Sequence, residues 1–577
     1  MTGRGPREHV AGVARVLSPH GAFALHRVDG AFPFALRSAV AMALPTLPLV
    51  LSGRATDSVF AMMGTFTTAF GRNLPYTRRA RVLAVVACAM TACVGAGSAL
   101  AAWVQPRENA AGAAVVVAAM AVVAGLAKFA CDAARLGGLG AVLLLFSFAV
   151  SANGTPAIGD VLPHTGLAAV GAVVAWALAI SGRLVQPDRP QRLAVATALR
   201  ELAALLEAAG AQGGGPAPRQ HATAAVVQAY QSLGVLPPTA AERGGRADVC
   251  VILADFSWSL LIDSAHRPEA APAGLPRHLR RQIRVLVDWR RRTPALVAEL
   301  TFLSPGDRGG PRSGATAIGP GAPATGRATE LLMGRQSDGR GRLLTLAVPA
   351  LRMGLGAGVA GGLSLALGLG HGYWAAIAAA AVLHSVNVRM AAQRAVQRTF
   401  GTVAGLLLAF GVLAAGPTPT VLVLVIVLLE FLLEYFVVRN YGLGVVFLTP
   451  LALLLTDLAD PEPAGVLVAD RALSSLLGIT IGLVCALLVV HDRAAVRAER
   501  ALAACVEATE RAERALTDHS RPPLPVLQAQ LAAAVVELRA ADDAAAGELW
   551  QAEIDPAELA AMEQRAYLLL ARITGSQ

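Results

Sequence analysis

Lysine is all but missing from this chain. Its 577 residues carry 49 basic side chains, and Lys128 is the single lysine among them. That lysine lies in no Gly-x-x-x-x-Gly-Lys loop, which excludes nucleotide hydrolysis by the phosphate-loop route. Charge of either sign is scarce: 15% of residues are charged, against 55% hydrophobic. With a mean hydropathy of +0.55, the chain is too apolar for a soluble protein of this size. Cysteine is sparse as well. Cys88, Cys93, Cys131, Cys250, Cys485 and Cys505 form no Cys-x-x-Cys pair, so neither a disulfide framework nor a zinc site is implied. His-Glu-x-x-His and Gly-x-Ser-x-Gly are absent too. Nothing points to an enzyme, a cofactor or a metal.

What is present is long apolar sequence. Several runs reach the roughly 17–25 residues that a bilayer-spanning helix needs. Six fall at about 34–52, 56–71, 82–104, 110–128, 136–152 and 163–184. Six more fall at about 345–369, 372–388, 399–416, 418–437, 441–458 and 465–490. The basic N-terminus is followed by no convincing cleavage site, so the first run is read as a retained helix. The net charge of +10 sits beside the hydrophobic segments, as the positive-inside rule predicts, and implies no nucleic-acid partner.

The apolar sequence is written twice. Arg135-Leu-Gly-Gly-Leu-Gly-Ala-Val142 reads like Arg439-Asn-Tyr-Gly-Leu-Gly-Val-Val446. Arg37 and Arg352 lie 315 positions apart, Arg81 and Arg398 317, and Gly171 and Gly478 307. Arginines follow the second and the sixth segment of each block, and Lys128 with Arg135 in the first block and Arg439 in the second mark the connection between the fourth and fifth. Both blocks therefore start on the cytoplasmic side and form a parallel repeat. The expected fold is all-α and polytopic, with two six-helix halves plus cytoplasmic helical domains.

The expected boundaries are a cytoplasmic segment at 1–33, a first half at 34–185 and a helical domain at 186–303. A Gly/Pro/Ala/Arg linker at 304–342, a second half at 343–490 and a C-terminal helical domain at 491–577 follow. Val10 to Val28 has the pattern of a helix lying on the membrane surface.

The second half carries the sharpest motifs. Arg352 is followed by His371-Gly-Tyr-Trp374, then by Gln397-Arg-Thr-Phe-Gly-Thr-Val-Ala-Gly405. Next come Arg439-Asn-Tyr441, Phe447-Leu-Thr-Pro450, and Asp470-Arg471 ahead of Gly478 and Gly482. This order and spacing resembles the fusaric acid resistance-like family of integral membrane proteins, which includes bacterial aromatic carboxylic acid exporters and, more distantly, plant aluminium-activated malate channels. The first half matches poorly. Phe60-Ala61 stands where Tyr-Trp would be, and Arg81-Val-Leu-Ala where Arg-x-x-Gly-Thr would be. The resemblance implies a plasma-membrane exporter of small organic anions, aromatic carboxylates among them.

Several residues have a chemical reading of their own, each beside a plainer one. Arg394 and Arg398 share a helical face at i,i+4, with Arg78 and Arg81 as the first-half counterpart. They suit either topology and lipid headgroups or an electropositive vestibule for carboxylates. Arg439, Asn440 and Tyr441 join them as substrate-binding candidates. Tyr373 and Trp374 suit either an aromatic belt at the outer boundary or contact with substrate. Glu430 and Glu434, also at i,i+4, are either bridged to Arg398 or Arg439 or couple transport to protons, with His384 as a relay. Arg471 is expected to pair with Asp470 or Asp457. Gly401 with Gly405, and Gly478 with Gly482, are read as close helix packing.

An inside-negative potential drives a monoanion outward by roughly 2.3 kcal/mol per 100 mV, so the electrical term alone favours export. A passive anion channel and a non-transporting envelope scaffold are the alternatives. The bilayer and a small organic anion are the expected partners; a homo-oligomer stays open. Both termini are expected in the cytoplasm.

Overall fold

The computed structural model describes residues 25, 28–72, 74–134, 136, 140–154, 156–210, 216–234, 248–266, 274–303, 339–385, 388–488, 492–517, 524–546 and 555–575. The Val10–Val28 segment lies almost wholly outside them, as do Arg135 and the linker up to 338. The last positions assigned to that linker are helical, because a helix already begins at Gly339.

Every apolar segment forms a helix. In the first half these are α1 (Ala31–Leu51), α2 (Ala55–Thr65), α3 (Tyr76–Val104), α4 (Ala110–Ala133), α5 (Gly140–Ala152) and α6 (Val161–Val185). Four more helices follow: α7 (Arg189–Gly210), α8 (Pro216–Leu233), α9 (Val249–His266) and α10 (Leu275–Val287). The second half comprises α11 (Gly339–Ala366), α12 (Tyr373–Leu383), α13 (Val388–Ala414), α14 (Pro419–Phe436), α15 (Tyr441–Ala459) and α16 (Ala464–Leu488). The chain ends with α17 (Asp492–Thr517), α18 (Leu524–Ala546) and α19 (Pro556–Gly575).

Among the described residues, nine helices are long and apolar enough to cross a bilayer. The protein is a multi-pass membrane protein. Helices α2, α5 and α12 have only 11, 13 and 11 residues, shorter than a full span. Their burial explains the shortness: every residue of α12 and all but one of α5 is buried. A helix that never meets lipid need not match the bilayer thickness, provided its ends are satisfied inside the protein. Arginines do this. Arg352 on α11 donates to the carbonyls of Leu383 (3.3 Å) and Ser385 (2.9 Å) at the end of α12. Arg79 on α3 donates to Gly71 (3.0 Å) and Arg72 just beyond α2. A guanidinium suits the negative end of a helix dipole.

The same pairings recur in both halves. α3 packs on α5 and α6, α2 on α6, and α1 on α2; α13 packs on α15 and α16, α12 on α16, and α11 on α12. The halves meet reciprocally, α1 against α14 and α4 against α11. Glycine permits the tightest contacts. A Cβ at Gly171 would lie 2.0 Å from the Ala61 carbonyl oxygen, and one at Gly478 2.2 Å from that of Ala375. Gly401 and Gly405 press in the same way against Gly442 and Val446 of α15. Small residues let helix backbones approach like this where lipid provides no hydrophobic drive.

The polar regions read separately from the sequence share one core. Leu199, Tyr230, Trp258 and Leu279 are packed together with Cys505, Leu531 and Tyr567. The Thr223 and Tyr567 hydroxyls lie 2.7 Å apart across that junction. Burial and Asp255 push the Tyr230 hydroxyl well above its usual range. This bundle is fastened to one end of the membrane helices. Arg200 on α7 pairs with Asp29 ahead of α1, and Gln186, just beyond α6, donates to the Trp289 carbonyl. Below, that end is the domain end and the opposite one the far end.

Candidate functional site

The arginines of α13 converge on α15 near the domain end. A spacing of four puts Arg394 and Arg398 on one face, and Gly401 and Gly405 bring that face against α15. The Arg398 Nη1 donates to the Tyr441 hydroxyl at 3.2 Å. The Arg394 guanidinium lies 5.6 Å from the Tyr441 ring centre. Arg398 is buried, and its Nε and the Nη1 of Arg394 are enclosed without a hydrogen-bond partner. Asn440 stands beside them, but its Oδ1 accepts the Leu443 N–H at 3.2 Å and caps α15. A cap of this type stabilises a helix start by about 1 kcal/mol.

Further in, Arg471 departs from expectation. It does not pair with Asp470, which takes His371 instead, with Nδ1 to Oδ2 at 3.2 Å. Arg471 points the other way and stacks on Trp374, 3.6 Å from the ring centre. It is fully buried, and neither its Nε nor its Nη1 meets an acceptor. It lies within electrostatic reach of Arg398.

The two glutamates lie elsewhere, on the seam where α14 meets α1. Glu430 accepts from Ser38 at 3.1 Å, and Ser38 is also bonded to Thr68. Glu434 is within electrostatic reach of Arg72 and Arg37. Those two arginines lie 4.7 and 5.0 Å from the Phe34 ring centre. Neither the Arg398 nor the Arg439 bridge therefore accounts for Glu430. The reason is the packing of α14 on α1, which turns this acidic face toward the first half.

Tyr373 and Trp374 are buried rather than set in an aromatic belt. Trp374 packs on Phe146 of α5 at 5.5 Å and on Tyr373 at 4.9 Å. Tyr373 also lines a cavity of about 400 Å³ at the far end, together with His371, Glu462, Asp470 and Arg107. Arg107, from the first half, pairs there with Asp460 from the second.

The remaining expected residues do not gather with these. Arg81 is exposed on α3, and Arg79 is the buried arginine of that turn. Two positions along a helix rotate a side chain by about 200°, so the interval of 317 picked the outward-facing neighbour. Arg439 lies over Tyr435, 3.8 Å from the ring centre. His384 caps α12, beside the carbonyls that bind Arg352. Among the described residues, no cluster of His, Cys, Asp or Glu is placed to hold a metal. Sequence reasoning read Arg471 only as an ion-pair partner and did not single out Arg79 or Ser38. For Arg471 a signal existed, since a charge this deep in an apolar helix is a functional candidate by default.

The arginine-bearing helices of the second half can be compared with known proteins. Residues 359–485 match the fusaric acid resistance protein-like family model. This fusaric acid resistance protein-like region contains Arg394, Arg398, Tyr441 and Arg471, whereas Ser38, Arg79 and the whole first half lie outside it. Over 484 residues the chain is 25% identical to a protein of Bacillus subtilis (strain 168) named uncharacterized membrane protein YvaC, covering 80% of this chain and 73% of that one. No solved structure matches.

Proposed function

We propose that this protein exports small organic anions from the cytoplasm by secondary transport, with aromatic carboxylic acids as the class favoured by the family resemblance. The domain end is taken as cytoplasmic in a bacterial plasma membrane, with both termini on that side. One observation carries the reading: Arg394 and Arg398 converge on Tyr441 with buried N–H groups that no protein acceptor meets. A guanidinium so placed is matched by a carboxylate, which accepts two hydrogen bonds side by side.

A second reading, passive conduction, is favoured by the position of Glu430. Its partner is Ser38 on the seam, not an arginine of α13. A carboxylate apart from the anion-binding group is poorly placed to exchange a proton for the anion. The test is flux of radiolabelled benzoate into proteoliposomes under an imposed voltage or pH gradient. Flux above that of protein-free liposomes that follows voltage and ignores pH supports conduction; flux above that background that a pH gradient alone can drive supports coupled export. Absence of flux across a broad panel of anions overturns both readings and favours a scaffold.

A further inference from the structure

We infer that the anion path runs inside the second half alone, with Arg471 as its inner binding station for the carboxylate of a small organic monoanion. This rests on the transport reading above and adds to it a route and a residue.

Three guanidiniums follow one another inward from the domain end. Arg394 and Arg398 stand one turn apart on α13, and Arg471 on α16 lies within electrostatic reach of Arg398. Helices α12 and α15 complete the enclosure through Trp374 and Tyr441. Like charges brought together away from water are unfavourable unless an opposite charge joins them. The acid next in sequence to Arg471 is engaged with His371. Arg471 keeps two buried N–H groups without an acceptor and Arg398 keeps one. A carboxylate at Arg471 would satisfy its free donors and offset the repulsion from Arg398. The indole beneath Arg471 offers an apolar wall to the body of the same molecule.

The string of cations ends where open space begins. Trp374 packs on Tyr373, and Tyr373 lines the far-end cavity of about 400 Å³. Arg471 is thus the last cation before the pair of rings that separates the string from the cavity.

The first half has lost the equivalent. His164 lies 307 positions before Arg471, the interval that separates Gly171 from Gly478. It stacks on Phe60 of α2 with ring centres 3.6 Å apart, as Arg471 stacks on Trp374 of α12. The geometry is kept, but an imidazole on a phenyl ring replaces a guanidinium on an indole. Arg37, Arg72 and Arg79 gather near the domain end of that half, within electrostatic reach of one another, but Arg81 is exposed on α3 and His164 stands in the place of Arg471.

The experiment compares benzoate flux, driven by an inside-negative voltage, in proteoliposomes holding wild type, Arg471→Gln, Arg471→Lys or His164→Gln. Benzoate is also titrated against the tryptophan emission of the detergent-solubilised full chain, with Trp374→Phe as the blank. The inference expects Arg471→Gln to lower flux at least tenfold, Arg471→Lys to recover part of it, and His164→Gln to stay within twofold of wild type. It also expects a saturable emission change that vanishes in Trp374→Phe and in Arg471→Gln. Wild-type flux that survives Arg471→Gln, or an equal loss in His164→Gln, overturns the single-half path and leaves the transport reading standing. Absence of wild-type flux overturns the transport reading and this path with it. If Arg471→Gln fails to fold, Arg471→Lys decides: flux and emission response that both equal wild type show that no guanidinium contact is made and overturn the assignment.

Discussion

Glu430 accepts a hydrogen bond from Ser38 at 3.1 Å across the seam between the two halves, 392 positions away in sequence. Replacing Glu430 by Gln keeps an oxygen acceptor and removes the charge. Voltage-driven anion flux is expected to stay within about twofold in Glu430→Gln. Flux driven by a pH gradient should vanish only if this carboxyl exchanges the proton. Glu430→Ala leaves Ser38 without that partner and should destabilise the fold by about 1–3 kcal/mol, read as a lower melting temperature in detergent.

The vestibule predicts a charge effect that depends on position. Arg394→Gln and Arg398→Gln should each reduce organic-anion flux roughly tenfold or more, the scale of one lost charge-assisted hydrogen bond of about 1.5–3 kcal/mol. Arg81→Gln should leave flux unchanged, because Arg81 is exposed on α3. Equal losses in all three would mean that the effect is general surface charge.

Glycine packing predicts a contrast along one helix. Gly478→Ala puts a methyl group 2.2 Å from the Ala375 carbonyl oxygen, so α12 and α16 must separate. Overpacking of this kind costs about 1–3 kcal/mol. Gly465→Ala, on the same helix with nothing within 4 Å, should be neutral or slightly stabilising. Thermal unfolding followed by size-exclusion chromatography reads both.

Two thiols outside the membrane should be silent. Burial pushes Cys505 up to about 11, and burial beside Asp248 raises Cys250 further. The thiolate is the reactive form, and at pH 8 it is about one part in a thousand for a thiol with a pKa near 11. Iodoacetamide at pH 8 should therefore spare both in the folded protein and modify both after denaturation. Reactivity should rise as the pH approaches 11, which peptide mass mapping can follow.

Much of the architecture was legible in the sequence, because hydropathy is a property of single segments. Each apolar run became a helix, and the glycine pairs lie at close helix contacts. What stayed hidden depends on rotation and on distant partners. Composition gives no reason to prefer Arg79 over Arg81, since only the orientation of α3 decides which one is buried. Ser38 could not be linked to Glu430 without knowing that α1 packs on α14. Asp470 sits next to Arg471 in sequence and invited a pairing, yet successive residues on a helix point about 100° apart. The shortness of α2, α5 and α12 also eludes a hydropathy count, which cannot tell a lipid-facing helix from one wrapped in other helices.

The shared core of α7–α10 with α17–α19 has a mechanical meaning. It fastens the exits of both halves at the domain end, while the halves pack on each other along α1 with α14 and α4 with α11, and Arg107 pairs with Asp460 at the far end. Two halves clasped at one end and packed along a shared seam resist being prised apart: parting them means unpacking α1 from α14 and α4 from α11, not breaking one ion pair.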